Sequence, residues 1–99
     1  MAATALEFTL DGENYVASFT ATSEITAVQI QRSVRGRLIV RRSIGDLDAA
    51  VIHSWTGSVV PPNKAFDVAA PVGSVIEILS GSAVSSAYYM PYDDDSDEE

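Results

Sequence analysis

Leu6-Glu7-Phe8-Thr9-Leu10-Asp11-Gly12-Glu13-Asn14-Tyr15-Val16-Ala17-Ser18-Phe19-Thr20-Ala21 alternates apolar and polar residues in two runs. Leu6, Phe8 and Leu10 interleave with Glu7 and Thr9; Tyr15, Ala17, Phe19 and Ala21 share one side of the second run. A period of two sends successive side chains to opposite faces of an extended chain, so each run predicts a half-buried strand. Between them Asp11-Gly12-Glu13-Asn14 has Asp and Gly where a tight turn uses them. Residues 5–21 therefore predict a β-hairpin.

The same rhythm continues. Thr22-Ser23-Glu24 is a polar break, and Ile25 to Arg32 predicts a third strand with Val28 and Ile30 on one face and Gln29 and Gln31 on the other. Ser33-Val34-Arg35-Gly36 predicts a turn with Gly36 at positive φ. Arg37 to Ser43 predicts a fourth strand, paired with the third as an arginine-tipped hairpin. Its apolar centre Leu38-Ile39-Val40 suggests cover on both faces. A loop from Ile44 to Ala50 leads to a fifth strand holding Val51, His53 and Trp55, with Val59-Val60 as its extension if Thr56-Gly57-Ser58 is a bulge. Pro61-Pro62-Asn63 closes that stretch, because proline cannot donate to a sheet ladder. Phe66 and Val68 mark a sixth strand, Ser74 to Ser80 a seventh and Val84 to Met90 an eighth. No window has helical periodicity, and a turn signal recurs about every eight to twelve residues. The expectation is an all-β fold: a two-layer antiparallel β-sandwich, jelly-roll-like, with about eight short strands. Residues 1–92 form one domain and 93–99 an acidic tail.

The 99 residues are 46% hydrophobic, mostly Ala, Val, Ile and Leu, which suits one small domain with a modest core. There is no cysteine, hence no disulfide framework and no thiolate metal site. Met1-Ala2-Ala3-Thr4-Ala5 lacks the basic and apolar regions of a signal peptide. No apolar run approaches the roughly 18 residues of a membrane-spanning helix. A soluble product made in a cytoplasm, with no membrane contact, is expected.

Charge is unevenly placed. Six of the fourteen acids lie in Asp93-Asp94-Asp95-Ser96-Asp97-Glu98-Glu99, and five of the six bases are Arg32, Arg35, Arg37, Arg41 and Arg42. The net charge of −8 falls to about −2 without the tail, since eight acids then face six bases. The arginines suit phosphate, but an acidic chain with a competing tail argues against nucleic acid. Two readings remain for them: a solvated, edge-protecting charge, or a protein–protein contact, where arginine is enriched.

Chemistry-bearing motifs are sparse. His53 is the sole histidine, and its alternation with Val51 and Trp55 predicts a sheet-facing imidazole with one hydrogen-bond partner, not a general base. Asp46-Leu47-Asp48 and Asp93-Asp94-Asp95 lack the layout of a calcium loop. No catalytic residue, metal site or cofactor is expected, and the chain does not read as an enzyme. Trp55, Tyr88, Tyr89 and Tyr92 suit either packing or a sugar-stacking platform. Tyr88 and Tyr89, adjacent in a strand, must face opposite ways.

Gly36-Arg37-Leu38-Ile39-Val40-Arg41-Arg42-Ser43, followed by a loop, the Trp-bearing strand and Val75-Ile76-Glu77-Ile78, resembles small β-sandwich virion proteins of tailed bacteriophages (capsid decoration, head-fibre and tail-associated modules). The resemblance lies in the pattern of strands and turns over about residues 5–92. It implies a structural virion protein, localised in the virion, with itself or other virion proteins as partners and a homo-oligomeric state. The expected contact residues are Arg32, Arg35, Arg37, Ile39, Arg41, Arg42, Tyr88, Tyr89 and Tyr92. The alternative is a carbohydrate-binding β-sandwich module.

Overall fold

The structure, a computed structural model, describes residues 3–32, 34, 36–44, 49–56 and 61–92. The expected turn residues Ser33 and Arg35, the acids Asp46 and Asp48, the Val59-Val60 extension and the acidic tail lie outside the described residues. Nine strands are described: β1 (Thr4–Ala5), β2 (Thr9–Asp11), β3 (Asn14–Thr20), β4 (Ile25–Arg32), β5 (Leu38–Ser43), β6 (Ala50–Trp55), β7 (Lys64–Ala69), β8 (Val75–Ser80) and β9 (Val84–Pro91). They form two antiparallel sheets, a four-stranded one ordered β1-β9-β4-β7 and a five-stranded one ordered β2-β3-β8-β5-β6. Counting β1 and β2 as one strand that changes layer, this is the jelly-roll order, and the fold is the expected two-layer β-sandwich.

The alternation holds where it was read. Along β4 Thr26, Val28, Ile30 and Arg32 are buried, while Ile25, Gln29 and Gln31 are exposed. The core joins Val28, Ile30, Val68 and Ala87 of one sheet to Ala17, Phe19, Leu38, Val40, Ile76 and Ile78 of the other. Each large apolar side chain in it contributes about 1.5–3 kcal/mol by leaving water. The predicted turn is present: Asp11 pairs with Asn14, and Gly12 has φ 66°. Positive φ at the first of two turn residues suits a type II′ hairpin, whose twist matches that of the strands.

Four expectations are corrected. First, β4 and β5 do not pair. β4 lies between β9 and β7, and β5 between β8 and β6. The chain changes layer after Arg32 because the inward side of both strands belongs to the same core; a flat hairpin would leave one sheet uncovered. Second, the first predicted strand is split: Thr4 and Ala5 pair with β9, Leu6 N–H donates to Ala87 O at 2.8 Å, and only Thr9–Asp11 joins β3. Third, Leu38-Ile39-Val40 is buried on one face only, with Ile39 half-buried on the outer side. Fourth, Gly36 is not at positive φ, which among the described residues belongs to Gly12 and Gly73; what Gly36 spares is crowding, since a Cβ there would lie 3.1 Å from Ser82 Oγ.

Arg32 ends β4 on the inward face at 4% exposure. Its Nη2 donates to Pro61 O at 2.7 Å, Nε to Pro62 O at 3.2 Å, and Nη1 to Arg37 O at 3.1 Å and Ser80 Oγ at 3.2 Å. Loss of hydration holds the guanidinium below the ordinary arginine value. Ser80 Oγ in turn donates to Ser82 O at 2.6 Å, and Ser82 Oγ to Val34 O at 3.1 Å. One side chain thus ties the end of β4 to the start of β5, the end of β8 and the approach to β7. Replacement by Ala removes four hydrogen bonds made by a buried side chain: Pro61 O and Pro62 O lose this donor, while Arg37 O keeps Gly81 N–H at 2.9 Å; each partner left unsatisfied costs about 1–3 kcal/mol. Arg32→Ala is therefore expected to destabilise the fold by about 3 kcal/mol or more. Urea unfolding followed by Trp55 fluorescence checks this, and an unchanged midpoint would contradict the assignment.

Candidate functional site

The expected contact residues do not form one surface. Arg32 is consumed inside the sandwich, and Tyr89 faces inward, stacked on Phe19 with ring centroids 4.3 Å apart. Tyr88 (47% exposed) and Tyr92 (48%) lie on the four-stranded sheet's side. Arg37, Ile39 and Arg41 alternate outward along the five-stranded sheet. Arg42, next to Arg41, has the opposite strand parity and is half-buried, with Nε enclosed and unpartnered among the described residues. Arg35 is outside the described residues. The cationic hairpin does not exist as a unit, because the strands that carried it belong to different sheets.

The outer face of the five-stranded sheet brings residues into register from three strands distant in sequence. Ile39 sits opposite Leu79, and Leu79 opposite Val16. These half-buried side chains form an apolar row across β5, β8 and β3. On one side of it Arg41 pairs with Glu77, directly across the ladder. On the other, Arg37 Nη2 donates to Asn14 Oδ1. Arg37 reaches Asn14 by crossing Gly81, where a Cβ would lie 3.1 Å from Arg37 Cγ. Glycine leaves room for this close approach; a Cβ would press the arginine's aliphatic stem aside by a few tenths of an ångström.

The outer face of the four-stranded sheet is different. Cross-strand register sets Ala65, Gln29 and Tyr88 in one row, and Asp67, Ala27 and Met90 in the next. With Ala3 they line a groove of about 370 Å³. Tyr92 Oη donates to Asp67 Oδ1 at 3.3 Å, and Ser86 Oγ to Gln31 Oε1 at 3.0 Å. Sequence reading missed Gln29, Asp67 and the alanine floor. Only their outward parity was visible, because β4, β7 and β9 meet through the fold and not through the chain.

His53 and Trp55 belong to neither outer face. They fill the flank between β6 and β7, the two six-residue strands at the sheet edges. His53 stacks on Trp55 at 5.0 Å and meets Phe66 edge-on at 5.7 Å. Its Nε2–H donates to Asp67 O at 3.0 Å, which is the single-partner imidazole expected from the sequence. Lys64 Nζ lies 4.6 Å above the indole. Trp55 is therefore separated from the exposed tyrosines, and the four aromatic residues make no common platform.

Comparison of the chain with protein-family models, curated protein sequences and solved structures returns no match.

The Gly81 crossing is open to test. Gly81→Val places a branched side chain in the path of Arg37. Overpacking of this kind costs about 1–3 kcal/mol. Arg37 is expected to leave Asn14, seen as loss of the Asn14 side-chain amide shift in NMR spectra. A valine variant of full stability with that signal unmoved would refute the crossing.

Proposed function

We propose that this chain is a structural assembly protein acting through protein–protein contacts, as a small virion component of a tailed bacteriophage: a capsid decoration, head-fibre or tail-associated module. The observation that carries the reading is the apolar row Val16–Leu79–Ile39 between the Arg41–Glu77 and Arg37–Asn14 pairs. An apolar strip rimmed by polar side chains, with arginine prominent, has the make-up of an interface core and its rim. Arg37 and Arg41 are already laid down on the sheet by internal partners, so docking costs less side-chain entropy than ordering two free arginines.

Two other considerations agree. Jelly rolls recur among viral capsid domains, although the fold by itself hosts many functions. The acidic tail supplies long-range attraction to a basic neighbour, screened beyond about 8 Å at physiological salt. Such attraction raises encounter rates, while lasting affinity comes from the buried apolar contact. The partner is a second copy or another virion protein, and the product is made in the host cytoplasm and ends in the virion.

The native mass of the full chain, alone and with particles from its source, tests the proposal. Ile39→Asp places a charge in the apolar row without touching the buried face. It is expected to weaken association at least tenfold, which corresponds to about 1.4 kcal/mol, with the unfolding midpoint nearly unchanged. A protein that is monomeric at high concentration and absent from particles defeats the reading. Removal of residues 93–99 addresses the electrostatic part separately: the fold is expected to stay intact while the salt dependence of association falls. Unfolding of the shortened chain would show that the tail serves stability instead.

A further inference from the structure

We infer that the groove on the outer face of the four-stranded sheet is a binding site for a neutral saccharide, one or two pyranose rings long. It goes beyond the assembly contact, which uses the opposite sheet, and does not depend on it.

The groove's make-up selects this chemistry. A pyranose presents hydroxyls at its rim and C–H bonds on its face, so its site needs an exposed aromatic ring, planar hydrogen-bonding groups and a floor without bulk. Tyr88 supplies the ring, 47% exposed and outward on β9. Gln29 lies directly opposite it in the ladder and offers both donors and an acceptor. Asp67, one row on and across β7, accepts only. Tyr92 holds one of its carboxylate oxygens, and the other has no hydrogen bond among the described residues. Ala27 and Ala65 keep the floor low, so a ring can approach the backbone between Tyr88 and Asp67. Gln31 and Ser86 extend the same face beyond Gln29, their side chains already joined to each other. The cavity of about 370 Å³ falls in the usual range of small-ligand sites, roughly 300–1,000 Å³.

Charge narrows the class. Among the described residues Asp67 is the single charged one lining the groove, and the chain carries −8 overall. Sialylated, uronic or phosphorylated sugars would meet repulsion with no cation among the described lining residues to offset it. A lipid tail would leave Gln29 and Asp67 unpaired. A neutral sugar uses Tyr88, Gln29 and Asp67 together.

The test is a titration of the full chain, labelled with ¹⁵N, with cellobiose, lactose, maltose, mannobiose and chitobiose, after a screen on an array of neutral and acidic glycans. Shifts are expected at Ala27–Gln29, Ala65–Asp67 and Tyr88–Met90 with at least one neutral probe. Tyr88→Ala and Gln29→Ala should each weaken that binding at least tenfold. Both residues are on the outer face, so the unfolding midpoint should hold. Ile39→Asp, on the opposite sheet, should leave it unchanged; this separates failure of the site from failure of the assembly reading. No shift in the groove with any neutral sugar, preference for acidic glycans, binding that survives Tyr88→Ala, or occupation of this face by a second copy of the chain would each overturn the inference.

Discussion

The end of the sandwich where the chain changes layers is held by a cation whose described partners are all neutral. Arg32 offers its donors to three backbone carbonyls and a serine hydroxyl, and takes up the space an apolar residue would fill at that inward position. Stripping a guanidinium of water is costly, as the lowered affinity for its proton records. The cost is offset because the guanidinium gives donors to the carbonyls of Pro61 and Pro62 and adds a second donor to that of Arg37, where two sheets converge. A lysine's single ammonium has no planar fork to serve acceptors spread over three segments. The separation of β4 from β5, and with it the jelly-roll wrap, rests on this contact.

That wrap creates two outer faces of unlike character. The five-stranded sheet carries branched apolar side chains in line, with arginines flattened beside them by Glu77 and Asn14. The four-stranded sheet carries alanines between a tyrosine, a glutamine and a carboxylate. Both faces are solvated surfaces of a small antiparallel sandwich, where outward positions ordinarily hold mixed polar residues. The contrast comes from register, since each row draws one residue from each of three strands. A slip of one residue in β4 would bury Gln29 and expose Val28, exchanging groove for core.

Much of the architecture was legible because the inward pattern is local. Val28 and Ile30, Ile76 and Ile78, and the Asp11–Asn14 turn each announce themselves within a few residues. The sandwich class and most strand limits follow from them. Pairing was not legible where it is non-local. Arg32 and Arg37 look like two rims of one hairpin in the sequence, yet the first is buried and the second lies on an outer face. Tyr88 and Tyr89 were correctly assigned to opposite faces by parity, but nothing in the chain says which is outside. The groove was hidden for the same reason: Gln29, Asp67 and Tyr88 are separated by up to 59 positions in the chain and share only an outward phase.

Pairing also changes what the arginines contribute to recognition. A cluster of free guanidinium groups would project a positive field and draw acidic partners from a distance. In the folded chain Arg32 is buried and Arg41 is paired with Glu77, so two of the charges no longer stand free on one ribbon, while Arg37 is held by the neutral amide of Asn14 and keeps its charge. The five-stranded face is left with an apolar centre, and on the proposed assembly reading its affinity would come from fit. Charge then governs exclusion more than attraction: a body with more acids than bases disfavours polyanions at either face. On the proposed readings, neutral ligands and apolar protein surfaces are the partners that suit these two faces.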